Sequence, residues 1–177
     1  MNKSIVLGGG CFWCLEAVFD KLNGVKKAQS GYAGGQVVNP GYREVCDGGT
    51  GHAEVLKIDY NSEVISLESI LQVFFTFHDP TTLNRQGNDV GTQYRSIIFY
   101  ESDEEKSLID KYISEKASTF WDNPIVTEIS PAKIFYPAEA YHDNYYRLNS
   151  AKPYCKFVIE PKLSKLKADY QELLKPS

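Results

Sequence analysis

The chain has 177 residues, with 19 lysines and arginines against 23 aspartates and glutamates, a formal net charge of −4, and four cysteines. That length suffices for one domain that buries its own core without disulfide staples. The acidic balance, with basic residues dispersed or gathered near the C-terminus, lacks the electrostatic footprint of a nucleic-acid binder.

"SIVL" (4–7) is too short for a signal peptide, and no later segment approaches a membrane span. A cytoplasmic location without a membrane partner is therefore expected. In that compartment cysteines are reduced, metal-binding or catalytic more often than structural.

In chain order, "SIVLGG" (4–9) reads as a short buried strand. Residues 11–22 follow with apolar side chains at Phe12, Leu15, Val18, Phe19 and Leu22, the spacing of one helical face. The glycines between them permit a tight turn. Residues 24–35 are expected to form a strand, a loop rich in Gly, Asn and Pro comes next, and "HAEVLKIDY" (52–60) alternates like a half-buried strand. The periodicity of 66–78 predicts a helix, and the β-branched and aromatic run 94–101 a strand. The order β-α-β, β-α-β predicts an α+β fold with a ferredoxin-like split βαβ core. This is a two-layer sandwich of an antiparallel-containing sheet with helices on one face, extended by C-terminal helices and loops.

Ser102 with Glu105 gives a capping-box pattern opening a helix from 103 to about 119, and "NPIVTEIS" (123–130) reads as another strand. Residues 137–149 are expected to be helical, with Pro137 in the first turn. The Leu and Lys spacing of 161–175 predicts a solvated amphipathic helix. A single catalytic domain, 1–177, acting as a monomer, accounts for the whole pattern.

Chemistry concentrates in "GGGCFWC" (8–14). A cysteine in the first turn of a helix meets unpaired backbone N–H groups and the positive end of the helix dipole, which lower its pKa. Cys11 is thus expected to be a solvent-reachable nucleophile, although a small buried cysteine is the plainer alternative. Cys14, one turn on, suits a dithiol redox pair or half of a zinc site. Zinc needs a second pair of ligands, and Cys46, Cys155, His52, His78 and His142 form no paired motif, so no metal is expected. Phe12 and Trp13 are ordinary core residues or the wall of an apolar pocket, and aromatic rings beside sulfur suit a thioether-like substrate. With neither a dinucleotide-binding glycine motif nor a Walker loop, no cofactor is expected.

Three further stretches, "GYREVCDGGTGHAEV" (41–55), "RQGNDVGTQYRS" (85–96) and "YPAEAYHDNYY" (136–146), stand in order after "GGGCFWCLE". Together the four resemble the motifs of peptide methionine sulfoxide reductases of the A type, from about Ile5 to at least Cys155. The resemblance implies that Cys11 attacks the sulfoxide sulfur and that Phe12 and Trp13 receive the substrate's terminal methyl group. It further implies that Glu54 protonates the departing oxygen, that Tyr42 and Tyr94 donate hydrogen bonds to it, and that Asp89 orients the substrate's backbone amide. His142 lies in the matching "YHDNYY" stretch. The substrate would be the S epimer, in oxidised proteins or as the free amino acid.

Elementary chemistry supports such a set. A sulfoxide needs a soft nucleophile at sulfur and donors at oxygen. Glu54 donates only if burial and a nearby thiolate raise its pKa, which predicts that Cys11 and Glu54 titrate as a pair.

Oxygen transfer would leave a sulfenic acid on Cys11, which a second thiol must condense with. The resemblance implies Cys155, on a mobile tail, as that resolving residue and thioredoxin as the external reductant, with Cys14 the alternative, reached also by exchange. Position 14 departs from the frequent glycine, and the segment after Cys155 is not glycine-rich. Cys46 is expected to be structural or incidental. Two competing functions fit parts of the pattern: a CxxC thiol-disulfide oxidoreductase acting on protein disulfides, and a non-catalytic module with an aromatic cleft.

Overall fold

The computed structural model describes residues 1–176. Its strands are β1 (Asn2–Gly8), β2 (Val25–Ala33), β3 (Ala53–Asn61), β4 (Arg85–Gln86), β5 (Asp89–Val90), β6 (Ile97–Tyr100), β7 (Glu128–Pro131) and β8 (Tyr136–Pro137). Its α-helices are α1 (Phe12–Phe19), α2 (Tyr42–Cys46), α3 (Leu67–Phe77), α4 (Asp103–Glu115), α5 (Tyr145–Asn149) and α6 (Glu160–Asp169). Six strands form one sheet in the order β7-β6-β1-β3-β2-β8, and β4 pairs with β5 as a separate ribbon. Within the large sheet β6 and β7 are parallel and every other neighbouring pair is antiparallel. The fold is thus α+β with a mixed, mostly antiparallel sheet.

Local sequence explains most of these elements. Gly10 takes φ +83°, a conformation open to glycine, and a Cβ on Gly9 would lie 2.5 Å from the His78 ring, so the turn into α1 depends on both. Ser66 caps α3 by accepting the Ser69 N–H at 3.1 Å. Ser102 does the same for α4 with the Glu105 N–H at 3.2 Å, while the Glu105 carboxylate accepts from Glu101 N–H, one residue before the cap.

One face of the sheet packs Ile5, Leu7, Leu56, Ile58 and Ile98 against Leu15, Val18 and Phe19 of α1, Phe74 and Phe75 of α3, Ile109 of α4 and Leu166 of α6. The other face carries a smaller cluster around Val55, Ile97 and Phe99. Phe74 is fully buried in the larger core. Phe74→Ala is expected to cost about 3–5 kcal/mol, read as a lowered midpoint in urea unfolding.

Three expectations are corrected. Residues 137–149 are not one helix: Pro137 pairs in β8, Ala140–His142 form a 3₁₀ turn, and only Tyr145–Asn149 are α-helical. Their local periodicity yields to contacts reaching in from other elements. The strand expected over 123–130 narrows to its last residues and Pro131, alongside β6. The C-terminal helix is not merely solvated, since Leu166 is buried and Leu22 bridges to Leu174. Among the described residues no helix is long and apolar enough to cross a membrane.

Candidate active site

Cys11 is the extended N-cap residue of α1. Phe12, Trp13 and Cys14 follow in the first turn, so one short segment delivers two thiols and two rings to the same end of the sheet. Beside it runs β3, the central strand, where Ala53–Leu56 are all buried. Strand alternation puts Glu54 on the same face as the core residues Leu56 and Ile58, and Glu54 is 0% exposed.

Glu54 Oε1 accepts the Phe12 N–H at 3.1 Å, and its buried Oε2 has no hydrogen-bond partner among the described residues. Burial pushes its carboxyl up to about 8, against the pull of the Phe12 N–H and with a further push from Asp89. The acid therefore keeps its proton at neutral pH.

Cys11 corrects an expectation. Its thiol is pushed well above the ordinary cysteine value by burial first, then by the charges of Glu54 and Cys14. The Trp13 N–H and the Tyr154 hydroxyl pull it down by less. Desolvation outweighs the helix terminus, so the resting sulfur is a thiol, 7% exposed, rather than an open thiolate. The Glu54 charge thus weighs on the Cys11 thiol, whereas the Glu54 carboxyl itself is moved by burial, the Phe12 N–H and Asp89.

The aromatic wall is continuous. The Trp13 ring stacks on Tyr145 at 3.7 Å and 6°, and Tyr154 meets it edge-on at 5.9 Å. Trp13 Nε1–H donates to His142 Nδ1 at 3.0 Å. This assigns the proton of neutral His142 to Nε2, and burial lowers the pKa of that ring. Phe12 packs between Tyr32 and His142, with ring centroids at 5.7 and 5.0 Å. Tyr42 and Tyr94 pack on the same cluster as half-buried rings. Burial and the neighbouring Glu54 push both hydroxyls upward, so both remain protonated donors.

Asp89 lies on β5, and its Oδ2 accepts the Tyr154 hydroxyl at 3.1 Å; the same hydroxyl is 3.4 Å from Cys14 Sγ. Cys155 is 0% exposed and opens a π-helical turn, Cys155–Ile159, that runs directly into α6, so no mobile tail carries it. All ten residues singled out from the sequence thus meet in one region. Burial raises the Cys46 thiol above its ordinary value, and the hydroxyl of neighbouring Tyr42 offsets part of that push. All four cysteines are unpaired.

A family model described as peptide methionine sulfoxide reductase matches residues 3–174. The chain belongs to that family.

Among curated peptide methionine sulfoxide reductases named MsrA, the chain is 55% identical to that of Trichodesmium erythraeum over 168 residues, covering 94% of this chain and 95% of the relative. It is 56% identical to that of Leptospira borgpetersenii, covering 92% of each. Its fold is similar to reduced Mxr1 from Saccharomyces cerevisiae, with TM-score 0.80, 40% identity, and 87% of this chain and 89% of that one covered. It is also similar to methionine sulfoxide reductase A of Corynebacterium diphtheriae, with TM-score 0.75, 32% identity, and coverage of 85% and 76%.

The residue-by-residue reading of this reductase passed over four groups. Glu139 Oε1 accepts from Tyr32 Oη and its Oε2 from the Tyr42 N–H, both at 2.9 Å. Burial works against the ionised form of Glu139, yet those donors hold its carboxyl below the ordinary value. Tyr154, Tyr145 and Glu16 are the others. Glu139 and Tyr145 stand inside "YPAEAYHDNYY" and Glu16 inside "GGGCFWCLE", but nothing in local spacing says which polar residue of a motif turns inward.

Proposed function

We propose that the reductase binds the methyl group of methionine S-sulfoxide against Phe12 and Trp13. The sulfoxide oxygen then faces Glu54, Tyr42 and Tyr94, and the sulfur faces Cys11. The observation that carries this reading is the protonated, fully buried Glu54, bonded to the Phe12 N–H next to Cys11 and with one oxygen unpartnered. A buried acid with a spare oxygen is a destabilising arrangement unless something polar is to meet it.

In the forward step the Cys11 sulfur attacks the sulfoxide sulfur while Glu54 protonates the oxygen. Oxygen passes to Cys11 as a sulfenic acid, methionine leaves as the thioether, and the thiol's proton returns to the carboxylate, so Glu54 ends as it began. Asp89 orients the substrate amide once the Tyr154 hydroxyl gives up that carboxylate, and His142 holds the Trp13 indole in plane.

A second thiol then attacks the sulfenic sulfur and water leaves. Cys11, Cys14 and Cys155 share one buried cluster, and Cys14 stands one turn from Cys11 on the same segment, which supports Cys14 closing the first disulfide and Cys155 taking it over by exchange. Direct attack by Cys155, held in the turn at 155–159, is the competing route. Thiol counts after one turnover test the order. Cys155→Ser is expected to lose two thiols as fast as the parent, and Cys14→Ser far more slowly. A parental rate in Cys14→Ser would restore the direct route.

Reduction of the final disulfide by thioredoxin is supported by the yeast Mxr1 structure solved in complex with Trx2, with TM-score 0.55 and 32% identity to this chain. The unpaired cysteines suit a reducing cytoplasm. The order β6-β1-β3-β2, with α1 between β1 and β2 and α3 between β3 and β6, supports a ferredoxin-like core, and residues 1–177 act as one catalytic domain. Reduction of the separated S and R epimers with thioredoxin or dithiothreitol tests the whole reading, which fails if the S epimer is left unchanged. A dithiol oxidoreductase or a passive aromatic cleft would leave the buried acid without a task.

A further inference from the structure

Glu16 is a second buried carboxyl, 6% exposed, that the reaction above does not use. It sits on α1 three residues after Trp13, so the two side chains lie on the same side of the helix. Its Oε1 accepts the Tyr145 N–H at 3.2 Å, and the Asn144 N–H also favours its charged form. Those two amides are the entry to α5, a helix of five residues that buries none of them and has no side-chain cap of its own. Asn144, just before it, is held at φ +54°, a left-handed conformation that needs support from outside.

A helix that short does not hold itself in water. What fixes it is the acid from α1 at its first amides and the Trp13 ring lying flat on Tyr145. Burial raises the Glu16 carboxyl to about 7, the two amides pull it back, and Asp143 and Asp20 add to the push. Keeping an acid in such a place is unfavourable unless the bonds it accepts matter.

Granting the substrate site proposed above, we infer that Glu16 is a positioning residue for the methyl-binding wall. By capping α5 through the Tyr145 N–H, it keeps the Tyr145 ring on Trp13 and so presents the indole to substrate in one orientation.

The test is a double-substitution cycle with a blocked methionine S-sulfoxide as substrate and dithiothreitol as reductant. Glu16→Ala is expected to raise KM about tenfold with kcat little changed, the size of effect for losing one buried hydrogen bond. Tyr145→Ala should raise KM similarly, and the double variant no further. Glu16→Gln, which keeps a carbonyl acceptor, should restore KM to near the parental value. In a Trp121→Phe background Trp13 is the only indole, and its emission should shift to the red in Glu16→Ala but not in Glu16→Gln.

Additive effects of the two alanine substitutions would overturn the inference, as would a glutamine variant as impaired as the alanine one. Should Glu16→Ala fail to fold, Glu16→Gln and Tyr145→Ala still decide through KM and emission. Absence of any S-sulfoxide reduction by the unsubstituted chain would instead sink the functional reading, and that result stands apart from the cycle.

Discussion

Replacing Glu54 with glutamine is expected to slow single-turnover sulfoxide reduction by about 10²–10⁴ and to remove the alkaline limb of its pH profile. With its carboxyl at about 8, the parent holds its donor proton at neutral pH and loses it as pH rises through that value. Activity should fall there. Glutamine keeps the shape of the side chain and can still accept the Phe12 N–H, but it has no acidic proton to deliver. A parental pH profile in Glu54→Gln would remove Glu54 from the reaction.

The same substitution has a stability signature whose sign is opposite to the usual salt-bridged acid. Folding raises this carboxyl from the ordinary 4.5 to about 8, so the folded state binds the proton more tightly than the unfolded one. The resulting stabilisation is fully present below pH 4.5 and is lost as pH rises through about 8. Urea midpoints of the parent should therefore decline relative to those of Glu54→Gln across that window.

Cys11→Ser is expected to abolish turnover, a loss on the order of 10⁶ when the attacking residue of an enzyme is removed. Serine offers a hard oxygen that attacks sulfur poorly and has no sulfur to take up the sulfoxide oxygen as a sulfenic acid. The parent should also show a kinetic contrast. Because the resting thiol is buried and protonated, iodoacetamide should label Cys11 slowly at neutral pH while methionine sulfoxide oxidises it quickly. Methionine production by Cys11→Ser under single-turnover conditions would move the chemistry to another sulfur.

Much of this molecule is written locally. The 3.6-residue rhythm of 66–78 and its Ser66 cap needed no tertiary information, nor did the strand–glycine–cysteine–helix order of the first 20 residues. What local rules missed depends on what lies across the fold. A glutamate in a strand usually faces solvent, but Glu54 has the parity of Leu56 and Ile58 in β3, which turns it into the core, and the packing around that strand completes its burial. A helix terminus alone predicts a lowered pKa for Cys11, whereas burial and the charges of Glu54 and Cys14 govern it. Residues 137–149 carry helical residues in helical spacing, but Glu16 and Trp13 from α1, Tyr32 from β2 and Tyr42 from α2 reach in and break that run into a strand pair, a tight turn and one short helix. Tyr154 is silent in sequence because its hydroxyl matters only once Asp89 and Cys14 are brought to it.

The strand that carries Glu54 is hydrogen-bonded on both edges, to β1 and to β2. Its amide hydrogens should accordingly be among the last to exchange with deuterated solvent, whereas those of 140–155, which hang on a few side-chain clamps, should exchange early. Gentle heating would then detach the indole's supports and the last thiol while the proton donor stays anchored, and lost function would return on cooling without refolding of the central ladder.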